Sequence, residues 1–372
     1  MKKKIKIHIL HCGDVGVDPA VPFRDVSKNP IAYTGIGRSI KHRIWLPVSA
    51  YLIEHPKGLV LFDTGWHKDV RINEKKHMSW KLNYASKARL PEGMAVDEQL
   101  NNLDINTSDL DYVFLSHMDV DHVSGVELVK DAKKILISDE EFDAIKKSNI
   151  RYNNKLWENV NIIPFKMCKS QYGPFNRAFD VFEDGTVLML DAHGHTEGNI
   201  IARIENNEKF VLLTADCGYA KESWENLRLP GPISNKRDML TALKWVQKNS
   251  KDKSCIDVLA THDSHIKPQK AFIALGDQTR QLIIIALLEG DCNGIRVGEI
   301  KEKTHLSRPA VSHHLQILKD AGIISMRREG TKNYYYVNAS ETQWKELKDL
   351  IDYIYEIVQD VSCKNKNIYR LF

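Results

Sequence analysis

No stretch of the chain comes near the roughly 18 consecutive apolar residues that a membrane-spanning helix needs. The basic start Met1-Lys2-Lys3-Lys4-Ile5-Lys6 is not followed by an apolar segment of signal-peptide length. The expectation is a cytoplasmic chain with no membrane partner. Paired cysteines are lacking as well. Cys12, Cys168, Cys217, Cys255, Cys292 and Cys363 stand singly, without C-x-x-C pairs or even spacing, which excludes a disulfide framework and fits reduced thiols. A large net charge is also missing: 53 Lys and Arg against 49 Asp and Glu leave +4, so any nucleic-acid surface must be local. What is present is apolar material, 42% of 372 residues, enough for one full core and room for two domains.

The densest chemistry lies in Leu115-Ser116-His117-Met118-Asp119-Val120-Asp121-His122-Val123-Ser124-Gly125, directly after the apolar run Tyr112-Val113-Phe114-Leu115. A buried strand would end where nitrogen and oxygen ligands begin, the usual way a metal site is hung on an α/β scaffold. A solvated acidic turn between strand and helix is the competing reading. Three later strands end in similar fashion. Val187–Leu190 runs into Asp191-Ala192-His193-Gly194-His195-Thr196-Glu197-Gly198, Phe210–Ala215 runs into Asp216, and Ile256–Thr261 runs into His262. Upstream, Trp45–Trp66 reads as two strands around a Pro56-Lys57-Gly58 turn, closing on Asp63-Thr64-Gly65.

Other stretches carry weaker signals. Ile5–Leu10 alternates as a strand, and His11, Cys12, Asp14 and Asp18 then read as metal ligands or, at least as well, as a loop around Gly13 and Gly16. From His67 to Leu103 there is no sustained period, so the expectation is a long insertion near the site's mouth. Its His77, Trp80, Tyr84 and Met94 either line a pocket or cover the core. A helix is expected over Val126–Lys133, a strand at Ile135–Ile137 and a charged helix over Asp139–Lys147.

The spacing H-x-D-x-D-H resembles the H-x-H-x-D-H signature of the metallo-β-lactamase superfamily, and the Phe-Asp-Thr-Gly close of the hairpin resembles its N-acyl-homoserine lactonase branch. The resemblance implies an αββα sandwich over residues 1–266. It also implies two divalent metal ions, held by His117, Asp119, Asp121, His122, His195, Asp216 and His262, with Asp216 bridging. Asp119 departs from the family by standing where a histidine is usual. Zinc is the first expectation, and the added carboxylate admits manganese or iron. Asp63 is then assigned to a supporting position beneath the metals, and His193 to a neighbour without a role. A hydroxide generated between the ions would attack a small ester or lactone, with Tyr219 beside the carbonyl and Asp121 as proton carrier, these two being the catalytic candidates.

Beyond His262 the character of the sequence changes. Lys267-Pro268 makes a joint, and a helical pattern runs from Gln269 to Leu288. Ile295–Lys303 reads as a short helix, and Ser307 caps another with Pro309 in its first turn, which is helix-turn-helix spacing. At 100° per residue Val311, Leu315 and Leu318 form one stripe, while Arg308, Ser312, Gln316 and Lys319 form a second about a right angle away. Ile323–Arg328 and Asn333–Val337 flank Glu329–Lys332 as a wing. The sequences Ala-Leu-Gly-Asp-x-Thr-Arg and Ser307–Gly322 resemble ArsR-type winged-helix repressors, implying an α+β DNA-binding and dimerisation domain over 267–372. Ser307, Arg308, Ser312, His313, Gln316, Lys319, Arg327, Arg328 and Lys332 would meet double-stranded DNA, a palindromic operator. The apolar face of the last helix, Glu341–Val361, would make a homodimer.

Two classes of function follow. One is a transcriptional regulator of ArsR type carrying a lactonase-like domain that hydrolyses or senses a small ester or lactone. The other is a lactonase-like metallohydrolase whose winged helix mainly dimerises, with a non-catalytic metal or ligand sensor as a variant of the first.

Overall fold

Alternation within the strands decides the layering. In Tyr51-Leu52-Ile53, Tyr51 and Ile53 pack with Val60, Phe62 and Phe114, whereas Leu52, Leu61 and Val113 belong to a core on the opposite face. Because successive side chains leave a strand on opposite faces, an apolar residue at every position requires cover on both sides. In the computed structural model that cover is a second sheet on one face and helices on the other. The structure describes residues 5–78, 80–147, 151–263, 275–290, 294–304 and 306–338, together with Lys348 and Ile351. The chain divides into two compact units, Met1–Ser264 and His265–Phe372.

In the amino-terminal unit one sheet has the strand order Lys87–Arg89, Lys6–Val17, Ile44–His55, Gly58–Phe62, Tyr112–Phe114, Ile135–Ser138, Ile162–Phe165. The other runs Cys255–Leu259, Lys209–Leu213, Ile200–Asn206, Val187–Asp191, Arg177–Asp180, Cys168–Lys169. Tyr51, Phe62 and Phe114 from the first sheet meet Val187, Met189, Ile200 and Leu213 from the second. Outside the second sheet, Leu188, Leu190 and Ile201 are covered by Met239, Ala242, Leu243 and Val246 of the helix Lys236–Ser250. This is the αββα sandwich. Gly58–Phe62 and Tyr112–Phe114 pair in parallel, as do Lys209–Leu213 and Cys255–Leu259, so their carboxyl ends open on the same functional rim.

Three local expectations are corrected. The first strand does not stop at Leu10 but continues to Val17 through a register shift between His11 and Asp14, because Asp14–Val17 still pair with Ile44–Pro47. Residues 67–103 are not a structureless insertion: they contain helices Val70–Met78, Trp80–Ala85 and Val96–Asn102 and the strand Lys87–Arg89. Tertiary contacts override a weak local pattern there. Arg71 reaches both oxygens of Glu98 at 2.8 and 2.7 Å and the carbonyls of Leu90 and Pro91. Of the side chains expected to line a pocket or cover the core, Tyr84 lines a cleft described below, while Met94 packs on the core. The helix expected at Val126–Lys133 is instead a helical turn at Val120–Val123 and a 3₁₀ turn at Val126–Val129. Gly125 separates them, lying so close to the Thr64 carbonyl that a Cβ there would come within 2.5 Å of its oxygen.

In the carboxy-terminal unit, helices Gln278–Leu288, Val297–Thr304 and Arg308–Asp320 pack over a three-stranded sheet of order Ile295–Arg296, Lys332–Val337, Ile324–Glu329. Ile295 and Arg296, read as the start of a helix, form a strand because they pair with Tyr335 and Tyr334. Ser307 caps the third helix by accepting from the Ala310 amide. Val311, Leu315 and Leu318 are buried with Ile283, Ile300 and Ile323. The Lys267-Pro268 joint, the helix start at 269–274 and the closing helix, apart from Lys348 and Ile351, lie outside the described residues. Among the described residues no helix is long and apolar enough to cross a membrane.

Candidate metal centre

Five strand ends deliver the site. Asp63 follows Gly58–Phe62, Ser116 and His117 follow Tyr112–Phe114, His195 follows Val187–Asp191, Asp216 follows Lys209–Leu213 and His262 follows Cys255–Leu259. Asp63 and Ala215 both adopt left-handed backbone, φ 63° and 43°, a conformation costly for residues with a side chain and held here by the surrounding packing. Gly198 must be glycine, since a Cβ would stand 2.2 Å from the Glu141 amide nitrogen. That close approach lets the loop after His195 dock on the start of the helix Asp139–Lys146, where Ser138 Oγ donates to the Gly198 carbonyl at 2.7 Å.

The ligand-type atoms gather into two positions. His117, Asp119, His195 and Asp216 form one group, and Asp121, His122 and His262 another, each with its atoms within 4.8 Å of one another. Asp216 belongs to both. Its Oδ1 lies 3.1 Å from His122 Nε2 and 3.1 Å from His262 Nε2, while its Oδ2 lies 3.4 Å from His195 Nε2 and 4.0 Å from His117 Nε2. Asp121 Oδ2 lies 3.5 Å from His262 Nε2. Despite these distances, His117 Nε2, His122 Nε2, His262 Nε2 and Asp216 Oδ1 are buried without a hydrogen-bond partner. Ligand atoms about 2 Å from a shared tetrahedral ion stand roughly 3.3 Å from each other, so this spacing fits a divalent metal.

Three of the four imidazoles are aimed from behind, those of His117, His122 and His262. The Asp63 carboxylate accepts from the Ser116 amide (2.7 Å) and Ser116 Oγ (2.8 Å) and pairs with His122 Nδ1 at 2.8 Å. Since Asp63 can only accept, His122 carries its proton on Nδ1 and presents the Nε2 lone pair to the cluster. Ser116 Oγ, its proton given to Asp63, accepts from His117 Nδ1 at 3.0 Å, and the Pro47 carbonyl does the same for His262 Nδ1 at 2.8 Å. Burial and the neighbouring His122 push the His117 imidazole down to about 4, so it is neutral at pH 7. Burial alone would lower His122 and His262, but Asp216 reverses this for both, helped by Asp63 at the first and Asp121 at the second. Carboxylates this strong in their demand for positive charge are satisfied by protons or by a cation, and Asp121, His122, Asp216 and His262 could hold a divalent ion that meets the demand.

The other position holds a side chain that the sequence did not point to. Arg151 Nε and Nη2 lie 2.5 Å from Asp119 Oδ1 and Oδ2, Nη2 lies 2.7 Å from His195 Nε2, and Nη1 donates to the His195 carbonyl at 2.9 Å. Burial works to raise the Asp119 carboxyl, but the Arg151 charge and its hydrogen bonds hold it well below the usual carboxylate range. The signal was Asp119 itself: a carboxylate in a histidine position calls for a compensating cation elsewhere. Glu141 was missed too. It is buried and accepts from the Met118 amide (3.1 Å), the Gly198 amide (3.0 Å) and the Tyr152 hydroxyl (3.1 Å), tying both ligand loops to the segment that carries Arg151. His193 stays outside, hydrogen-bonded to Asp191 and stacked on Phe175.

A cleft of about 740 Å³ opens on the cluster, with Val15, Val17, Ile36, Leu82 and Ile233 along its walls and Asp119, Asp121, Arg151 and Tyr219 at its polar end. Tyr219 stacks on His262 with ring centroids 4.9 Å apart. Burial and Asp216 raise the pKa of its hydroxyl well above the ordinary value, so it remains a donor.

In the carboxy-terminal unit the nine candidate DNA contacts are all exposed. Arg308, Ser312, His313, Gln316 and Lys319 lie on the third helix, and Arg327, Arg328 and Lys332 on the hairpin. The wing arginines also have partners nearby: Arg327 pairs with Glu329 at 3.0 Å and Arg328 Nε donates to the Gly330 carbonyl at 3.1 Å.

Comparison with known proteins agrees with this division. The model of the metallo-beta-lactamase superfamily matches residues 43–254, and that of the bacterial regulatory protein, arsR family, matches 277–326. The chain is similar to N-acyl homoserine lactonase AiiB of Rhizobium rhizogenes, 31% identical over 268 residues, covering 69% of this chain and 93% of that protein. It is also similar to the transcriptional repressor SdpR of Bacillus subtilis, 42% identical over 72 residues, 19% of this chain and 77% of the repressor. An N-acyl homoserine lactone hydrolase solved with N-hexanoyl-L-homoserine at its catalytic metal centre shares the fold, with TM-score 0.58, 21% identity and coverage of 72% of this chain and 97% of that one.

Proposed function

The chain belongs to the metallo-β-lactamase superfamily and carries an ArsR-family helix-turn-helix domain, and from that premise we propose a DNA-binding regulator whose amino-terminal unit hydrolyses a small ester or lactone. The observation that carries the hydrolytic half is the convergence of unpartnered His122 Nε2, His262 Nε2 and Asp216 Oδ1 beneath an apolar cleft. Asp121, His122, Asp216 and His262 would hold a divalent ion, zinc in the first instance, which supplies Lewis acidity and acidifies water at neutral pH. The apolar walls take up the aliphatic part of the substrate. Tyr219, kept protonated, donates a hydrogen bond to the oxygen on which negative charge develops. Asp121, whose carboxyl burial raises above its ordinary value, passes a proton to the leaving alkoxide. The carboxy-terminal unit binds a palindromic operator as a homodimer, with ligand level coupled to occupancy.

Turnover of lactones and simple esters by the purified chain tests the hydrolytic half. Tyr219→Phe should lower kcat by about 10²-fold with KM nearly unchanged, as expected for loss of one oxyanion donor. A second reading, binding without turnover, is favoured by Arg151 seated on Asp119 and His195. Lactone binding with no hydrolysis above the metal-free control would replace the enzyme by that sensor.

A further inference from the structure

We propose that the guanidinium of Arg151 is the resident cation of the first position, so that the chain binds one metal ion tightly, at Asp121, His122, Asp216 and His262, and not two. The inference rests on reading the cluster as a metal centre. The fork of Arg151 contacts both oxygens of Asp119 at 2.5 Å, and the same Nη2 faces His195 Nε2 at 2.7 Å. These are the atoms an ion in the first position would need, since His195 Nε2 and Asp119 Oδ2 are themselves only 3.1 Å apart and His117 Nε2 is 3.4 Å from that oxygen. An imidazole nitrogen has one lone pair, and it cannot serve a guanidinium and a metal at once.

Charge points the same way. Asp119, Asp121 and Asp216 bring three negative charges to the two positions. One divalent ion and one guanidinium balance them; two divalent ions with Arg151 still in place leave the pocket with two excess positive charges at close range. Asp119 and Arg151 thus act as a neutral pair that replaces an imidazole and its metal. Arg151 is also held by its own segment, where the neighbouring Tyr152 is bonded to Glu141, and by the His195 carbonyl, so it is positioned independently of Asp119. An arginine remains charged at every working pH, which makes it a permanent occupant, whereas a metal can be withdrawn by a chelator.

The test is metal content and cobalt(II) titration of the full-length chain. Wild type, stripped with chelator and reloaded with excess zinc, should retain about one ion per chain after desalting, and cobalt(II) absorption should break at about one equivalent. Arg151→Gln should gain a second, weaker equivalent. Asp119→His combined with Arg151→Gln should hold two tightly, with circular dichroism and gel filtration establishing that each variant is folded. Two tightly held ions in wild type would overturn the proposal while leaving the metal-centre reading intact. One ion in wild type and still one in the folded double variant would overturn it as well, because Arg151 would then not be what keeps the second ion out. No ion in wild type under any loading would sink the metal-centre reading first, and this inference with it.

Discussion

The two units expose their chemistry in opposite ways. In the sandwich every imidazole of the cluster is buried, and His117, His122 and His262 are held from behind by a hydroxyl, a carboxylate and a carbonyl, the last two drawn from distant parts of the chain. In the winged helix the residues that would read DNA stand in solvent on one helix and one hairpin. A metal must be stripped of water and gripped by rigid ligands, so its site needs long-range support. A phosphate backbone is met in water by flexible cations, and a regular helix is support enough. The difference predicts that function and stability are coupled in the first unit and separable in the second.

Replacing Asp63 by Ala should give the largest effect. It removes the acceptor for Ser116 and for His122 Nδ1, leaving buried donors unpaired at about 1–3 kcal/mol each and cutting metal affinity by roughly 10–100-fold. Thermal melting and metal titration should move together. An unchanged melting temperature with weakened metal binding would break the proposed coupling. Arg308→Ala comes next, with a loss of about 1–3 kcal/mol on the operator and relaxed preference at one position per half-site, read by binding to randomised duplexes. Melting should not change, because Arg308 is exposed. The smallest effect belongs to Lys332→Ala on the wing. Specific and non-specific DNA should weaken alike, and the slope of log affinity against log salt should flatten by about one unit.

Legibility in the sequence follows the same division. Strand ends carrying His117, Asp121, His122, His195, Asp216 and His262 could be read directly, since a buried strand and the ligand after it are neighbours in the chain. The face of the third winged helix could be read because its period lies within 13 residues. Arg151 and Glu141 could not. Arg151 is 32 positions from Asp119 and Glu141 is 57 from Gly198, and nothing local distinguishes either from the surrounding charged residues. The helices between Val70 and Asn102 escaped for a related reason: each buries only a few apolar residues, such as Val96 and Leu100, and they are tied by partners such as Glu98 for Arg71.

Glu141 has one more consequence. Its two oxygens receive the amide of Met118 and the amide of Gly198, one from each ligand loop, and those loops are far apart in the chain. Neither amide hydrogen can reach solvent while that carboxylate stays in place. Their exchange with deuterium should therefore proceed at one common rate, set by a single opening event, and Glu141→Gln should accelerate both together.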